Sequence, residues 1–239
     1  MCWDWRVPDE LPPEPAVIAR GIRMTGPWGP VYGPLDLEIA RGGVTVLQCP
    51  AGAGRTALMM TLAGRMRPVA GELTVLGQTR TSAIFGLAAL AGIDEIDTVA
   101  ESVTVRDLIT EQLRWDAPWY RLVRRADADD LARVCAPVFG ELPLPPLGEY
   151  VDELSELDGL LLRIALANTR RPPLLVVGQS DQVTGERNRD LLLQRLIALG
   201  DEQTVVTASV DPVTDPQVRT QLEVTNVTRA ELVSHEEGE

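Results

Sequence analysis

The sequence predicts an α/β fold, with a mixed β-sheet core, flanking helices and a mostly helical subdomain over about 102–170. Three observations carry this expectation. Short apolar runs rich in β-branched residues, VTVLQ at 44–48, LLVV at 174–177 and TVVTA at 204–208, read as strands buried on both faces. Between them the hydrophobic period lengthens to that of helices. Within 44–77 a strand, a glycine-rich turn, a helix and a further strand follow one another.

Taken in order, the first fifteen residues hold four prolines (Pro8, Pro12, Pro13, Pro15), so residues 1–16 read as an arm. Val17 to Met24 alternates as an edge or early strand does. TGPWGPVYGP at 25–34, with three prolines and three glycines, is expected to be a turn-rich loop. Leu35 to Ile39 alternates again, and Arg41-Gly42-Gly43 turns the chain into VTVLQ. From Thr56 onward Leu58, Met59, Leu62 and Ala63 fall at helical spacing, with Gly64 placed to end the helix. Gly71-Glu72 opens the strand LTVLG. Asp107 to Leu113 and Ala126 to Phe139 are helical, separated by the aromatic stretch RWDAPWYRL, and Leu157 to Asn168 is a third helix. Arg170-Arg171-Pro172-Pro173 breaks the pattern before LLVV. Arg189 to Leu199 is a last helix, and Thr204 to Ala208 the third core strand. The folded domain is expected over 17–225, with a polar acidic tail at 226–239.

Charge and composition narrow the function. Of 239 residues, 22 are Lys or Arg and 35 Asp or Glu, a net charge of −13 that disfavours nucleic acid and anionic lipid unless a local basic patch overrides it. No apolar run approaches the roughly 18–20 residues of a membrane helix, so no direct membrane insertion is expected. The start, MCWDWRVPDELPPEP, has neither the basic nor the apolar region of a signal peptide, which points to the cytoplasm. Cys2, Cys49 and Cys135 are too few and too widely spaced for a disulfide framework or a zinc site.

The chemistry is concentrated in CPAGAGRTA at 49–57, between the VTVLQ strand and the LMMTLAG helix. Tight turns at Gly52 and Gly54 let successive backbone N–H groups converge on an anion, and the helix N-terminus adds its own unpaired donors. Thr56 offers a hydroxyl in reach of a metal ion. Two positions depart from the phosphate-loop pattern G-x-x-x-x-G-K-[ST]. Cys49 stands for the first glycine, and Arg55 for the lysine. Arginine keeps the charge but is planar, longer and many-pronged, so it either reaches a phosphate or fills the pocket itself. A degenerate phosphate loop and a turn that binds nothing both remain open at this point.

With its neighbours, this segment resembles the nucleotide-binding domain of ABC transporters, the cassette ATPases that power transport through membrane-spanning partners. The best stretch is CPAGAGRTALMMTLAGRMRPVAGELTVLG at 49–77, followed in family order by SVTVRDLITEQL at 102–113 and DELSELDGLLLRIALANTRRPPLLVV at 152–177. The resemblance implies a P-loop NTPase-like cassette with phosphates held by Gly52, Ala53, Gly54, Arg55, Thr56 and Ala57. It implies an aromatic platform for adenine at Trp28 or Tyr32, unless those rings pack the loop on the sheet.

The same resemblance marks losses. The signature, Leu-Ser-Gly-Gly-Gln in the family, is Leu154-Ser155-Glu156-Leu157-Asp158 here, with carboxylates where a phosphate should be faced by neutral amides. The magnesium Asp and catalytic Glu correspond to Gly178 and Gln179, and the switch histidine to Val210, with Asp211 retained after it. Asp181 falls in the following loop and is not promoted to a metal ligand. Asp94 to Ile96 carries no glutamine where the family has one, the position after the catalytic strand that ends in Asp reaches Gly185, and the chain's only histidine, His235, lies in the tail. Loss of a positioned base alone costs about 10²–10⁴ in rate, so the expectation is no catalytic residue, no metal ligand and at most weak ATP or ADP binding with little place for Mg2+.

The resemblance also implies partners: a multi-spanning membrane protein at the inner face of the cell membrane, and a homologous cassette or a second copy of the chain. Trp115, Trp119 and Tyr120 in RWDAPWYRLVRR read either as a contact surface in that region or as core packing. Three functions follow: a non-hydrolysing structural or regulatory subunit of a membrane complex, a soluble interaction module without nucleotide, and a weak ATP-binding protein with residual ATPase activity.

Overall fold

The computed structural model describes residues 14–27, 29–93, 103–179 and 183–224. Strands β1 (Pro15–Gly26), β2 (Gly29–Ala40) and β4 (Ala70–Val75) form an antiparallel sheet in the order β2-β1-β4. Strands β3 (Gly43–Gln48), β5 (Ala88–Ala91), β6 (Leu174–Gln179), β7 (Thr204–Ser209) and β8 (Thr220–Glu223) form a parallel sheet in the order β5-β6-β7-β3-β8. The core is therefore mixed, as the sequence predicts.

Period-two alternation of the parallel strands divides the interior in two. Leu174, Val176, Val206 and Leu47 face one core, shared with the antiparallel sheet and with Leu58, Met59 and Leu62 of α1 (Ala53–Leu62). Leu175, Val177, Val205 and Val46 face the other. That second core is closed by α3 (Val105–Asp116), α4 (Ala128–Phe139), α5 (Glu156–Ala167) and α6 (Glu186–Gly200). Each fully buried Val, Leu or Ile contributes about 1.5–3 kcal/mol of transfer free energy. Among the described residues, the few polar side chains buried along the parallel strands carry hydroxyls, Thr45 in β3 and Thr204, Thr207 and Ser209 in β7, and no charged group lies among them.

Two helix starts are set by reciprocal capping boxes. Thr104 and Asp107 form a reciprocal capping box on α3, and Asp127 and Asp130 form one on α4. The expected helices over 107–113, 126–139, 157–168 and 189–199 are all present, each shifted or extended by a few residues. The expected loop at 25–34 is instead largely hairpin: β1 and β2 meet with Gly26 opposite Gly29, and Pro30 and Pro34 lie in β2. Prolines are tolerated there because β2 is an edge strand, where one N–H side needs no partner. Three elements escape the sequence reading. The short helix α2 (Thr81–Leu87) buries only Ile84, β5 is built of Ala-Ala-Leu-Ala, and β8 is a half-exposed edge strand.

Candidate nucleotide-binding site

The glycine-rich loop leaves the C-terminal end of β3 in the middle of the parallel sheet, where open α/β sheets place their ligands. Its first residue is pinned: the Cys49 N–H donates to the Ser209 carbonyl at 3.0 Å, tying the loop to the end of β7. Cys49 is buried, whereas Pro50, Ala51, Gly52 and Ala53 are exposed. Gly52 caps α1 with φ 136°, a conformation that favours glycine, and its carbonyl accepts from the Arg55 and Thr56 N–H groups at 3.1 and 3.3 Å. α1 begins at Ala53, five residues before Leu58, the first apolar position used to place it. No side chain caps α1 and no acid lies in its first turn. The first N–H groups of the helix thus lack intrahelical partners and point their positive end at the loop.

Arg55 does not extend outward. It is 1% exposed, and its Nη1 donates to the Cys49 carbonyl at 3.4 Å, so the guanidinium lies inside the loop. Of the two fates open to it in the sequence, reaching outward or filling the pocket, this placement is the second. Thr56 is half-buried, and its hydroxyl oxygen is buried without a hydrogen-bond partner. Gly54 and Ala57 are buried in the first turn of α1. Trp28 lies outside the described residues. Tyr32 is fully buried, donating from its hydroxyl to Thr61 Oγ1 at 2.8 Å. Burial pushes its phenol up, opposed by that hydrogen bond. Tyr32 therefore packs β2 against α1 and offers no ring face to a ligand.

No family model matches the chain. Curated relatives do. Over 201 residues it is 30% identical to the ribose import ATP-binding protein RbsA 1 of Burkholderia cenocepacia, covering 80% of this chain and 38% of that one. The hemin import ATP-binding protein HmuV of Nocardia farcinica is 31% identical over 134 residues, covering 51% and 46%. The cytochrome c biogenesis ATP-binding export protein CcmA of Pseudomonas putida is 28% identical over 111 residues, covering 44% and 53%. The chain thus spans about half the length, or less, of the curated relatives it matches. Among solved structures, a Pyrococcus furiosus protein described as an ABC-transporter ATP-binding protein superposes with TM-score 0.65 at 17% identity, over 87% of this chain and 96% of that one. Clostridium perfringens cbiO1, part of the ABC transporter complex cbiONQ, gives 0.60 at 15% identity, over 82% and 79%. By homology and by fold, the chain matches the nucleotide-binding domains of ABC transporters.

The end of β6 is closed by main chain. A Cβ built on Gly178 would stand 1.8 Å from the Gly92 carbonyl oxygen and 2.6 Å from its carbonyl carbon. Gly92, at φ +69°, brings the chain leaving β5 against β6 just beyond the Ala91–Val177 pair, and the Gly178 carbonyl accepts from the Thr207 hydroxyl at 2.9 Å. Gly178 itself offers no metal ligand: the position lacks a side chain, and the space one would enter is filled. Among the described residues no group of three or more His, Cys, Asp or Glu side chains is arranged to hold a metal ion. A phosphate fits better. The bare α1 N-terminus and the orphaned Thr56 hydroxyl are the groups suited to it.

Several other residues singled out in the sequence make contacts within the chain. Ser155 caps α5, accepting from the Asp158 N–H at 3.1 Å while its hydroxyl donates to Asp158 Oδ2 at 2.7 Å. Glu156 Oε2 accepts from the Thr184 N–H at 2.7 Å, and that bond holds the Glu156 carboxyl below its ordinary range. Both carboxylates named in the altered signature are thus engaged by their own chain. Val210 is 44% exposed at the end of β7, and Asp211 beside it is exposed. Gly185 caps α6. Residues 94–96, Asp181 and His235 lie outside the described residues. Gly92 and Thr184 were missed by the sequence reading. The only signal for Gly92 is a glycine directly after an alanine-rich run, which reads as nothing until the run is known to be a strand.

Proposed function

We propose that the chain is an ATP-binding-cassette-like subunit of a membrane transporter or membrane complex, on its cytoplasmic face, that does not hydrolyse ATP with its own residues. The observation that carries this reading is the glycine seam at the end of β6, where the nucleotide-binding domains it matches would need a carboxylate. The neutral Gln179 beside it, Val210 at the switch position and the internally bonded Glu156 and Asp158 support the same conclusion. Removing a positioned base raises a barrier by roughly 3–5 kcal/mol, and no carboxylate among the described residues takes its place. A multi-spanning membrane protein is the partner class, with a homologous cassette or a second copy beside it. The role that remains is structural or regulatory.

A second reading is favoured by the loop. The bare helix N-terminus, Gly52, Gly54 and the orphaned Thr56 hydroxyl suit a polyphosphate, and the curated relatives are named as ATP-binding proteins. It makes the chain a weak ATP-binding protein with residual hydrolysis. Steady-state phosphate release at millimolar ATP, with and without Mg2+, separates the two. The first reading expects no release above background. Release that disappears in Thr56→Val establishes the second. Loss of the chain from washed membranes despite co-expression of a neighbouring permease would leave a soluble interaction module.

A further inference from the structure

The segment joining α3 to α4, residues 117–127, has no regular structure, yet both its ends are anchored. At its start the Ala117 N–H donates to the Leu113 carbonyl at 3.1 Å and the adjoining Asp116 pairs with Arg170 at 2.6 Å; at its end Arg124 pairs with Asp127 at 2.7 Å, Arg125 with Asp107 at 3.1 Å, and Arg106 Nη1 donates to the Ala126 carbonyl at 2.8 Å. The tip between these anchors turns its apolar side chains to solvent. Trp119 is 96% exposed, Leu122 101% and Tyr120 74%, and Trp115 at the end of α3 is 73% exposed. Core packing of these aromatics, one of the two sequence expectations, is thereby set aside. The Trp119 and Tyr120 rings meet edge to face, with centroids 5.9 Å apart.

We propose that this loop docks the protein directly on an anionic lipid surface. Trp and Tyr suit the headgroup level because one part of the ring system is apolar and the other hydrogen-bonds. Leu122 has no covering contact from its own chain. A bilayer accepts such a projecting side chain without a matching pocket, whereas a protein partner must provide one. Charge points the same way. The ten residues 117–126 carry three arginines and no carboxylate, in a chain of net charge −13. Arg121 forms no ion pair among the described residues, and the side chains of Arg124 and Arg125 stay 76% and 68% exposed despite theirs. Local basic charge attracts an anionic leaflet while the acidic remainder is repelled. The contact is therefore oriented as well as local.

The proposal concerns lipid alone, so it is tested without any membrane protein. The full chain is floated with vesicles of phosphatidylcholine and with vesicles of phosphatidylcholine and phosphatidylglycerol, at low and high salt. It is expected to co-float with the phosphatidylglycerol vesicles, less so as salt rises, with a blue shift of tryptophan emission. Trp119→Ala combined with Leu122→Ala should lower the bound fraction by about tenfold or more. Arg121→Glu should weaken binding at an unchanged thermal midpoint, since the loop is exposed. Absence of flotation with either vesicle type overturns the proposal, as does equal flotation of the double variant. Neither result bears on the membrane-complex reading, which rests on phosphate release and retention with a membrane partner.

Discussion

A carboxylate placed at position 178 should not create a metal site. In Gly178→Asp even the first side-chain atom would lie 1.8 Å from the Gly92 oxygen, where real Cβ contacts are essentially never under 3.0 Å. The obstacle is the Gly92 backbone, so no rotamer relieves it, and the chain leaving β5 must move by about 1 Å or more. Overpacking of this kind costs about 1–3 kcal/mol, and Gly178→Ala should show that cost alone. The aspartate adds a charge buried against a carbonyl oxygen, bringing the total to about 4 kcal/mol or more. At about 2–4 °C per kcal/mol for a chain of this size, the midpoint should fall by about 2–12 °C in Gly178→Ala and by about 8–16 °C or more in Gly178→Asp. Thermal unfolding by circular dichroism measures both, and phosphate release with Mg2+ should stay at background. A Gly178→Asp protein with the parent midpoint and a Mg2+-dependent stabilisation by ATP would refute the argument, because the seam would then be an open pocket.

Three further outcomes follow from the site. Arg55→Lys replaces the guanidinium buried in the loop by a compact ammonium; millimolar ATP should raise its midpoint more than the parent's, and equal shifts would show that Arg55 does not obstruct the loop. Tyr32→Phe removes the hydrogen bond to Thr61 and should cost about 1 kcal/mol, read as a lower urea midpoint at unchanged slope. Glu156 is ionised more readily when folded, so its contribution is present above the unfolded carboxylate range near pH 4.3 and is lost as pH falls through the lower folded value; the midpoint difference between the parent and Glu156→Gln should shrink on acidification, and a constant difference from pH 7 to pH 2 would contradict the Thr184 bond.

The legible parts of this molecule were those where one residue's type decides its environment. β3, β6 and β7 were evident because only strands buried on two faces tolerate runs such as VTVLQ and LLVV. The helices of the middle segment were evident from their period. The candidate loop was legible as a position but not as a state: nothing in the letters says whether Arg55 turns out or in, since that depends on where the folded loop places the Cys49 carbonyl. β2 was hidden because glycine and proline signal turns, and only its place at the edge of a sheet excuses them. The β6 seam was half-visible. Gly178 announced a lost side chain, but its contact with Gly92 crosses more than eighty residues of sequence, and no local pattern reports it. The altered signature was read as misplaced charge, whereas the fold shows its carboxylates occupied as caps and ties.

That occupation has a consequence for pairing. The amino end of α5 is bound to its own acidic residues, and through Glu156 to the segment that follows β6. For any chain that meets this face, the Asp158 N–H and the Glu156 carboxylate are already spoken for, and engaging either from outside means breaking a bond the fold has made for itself.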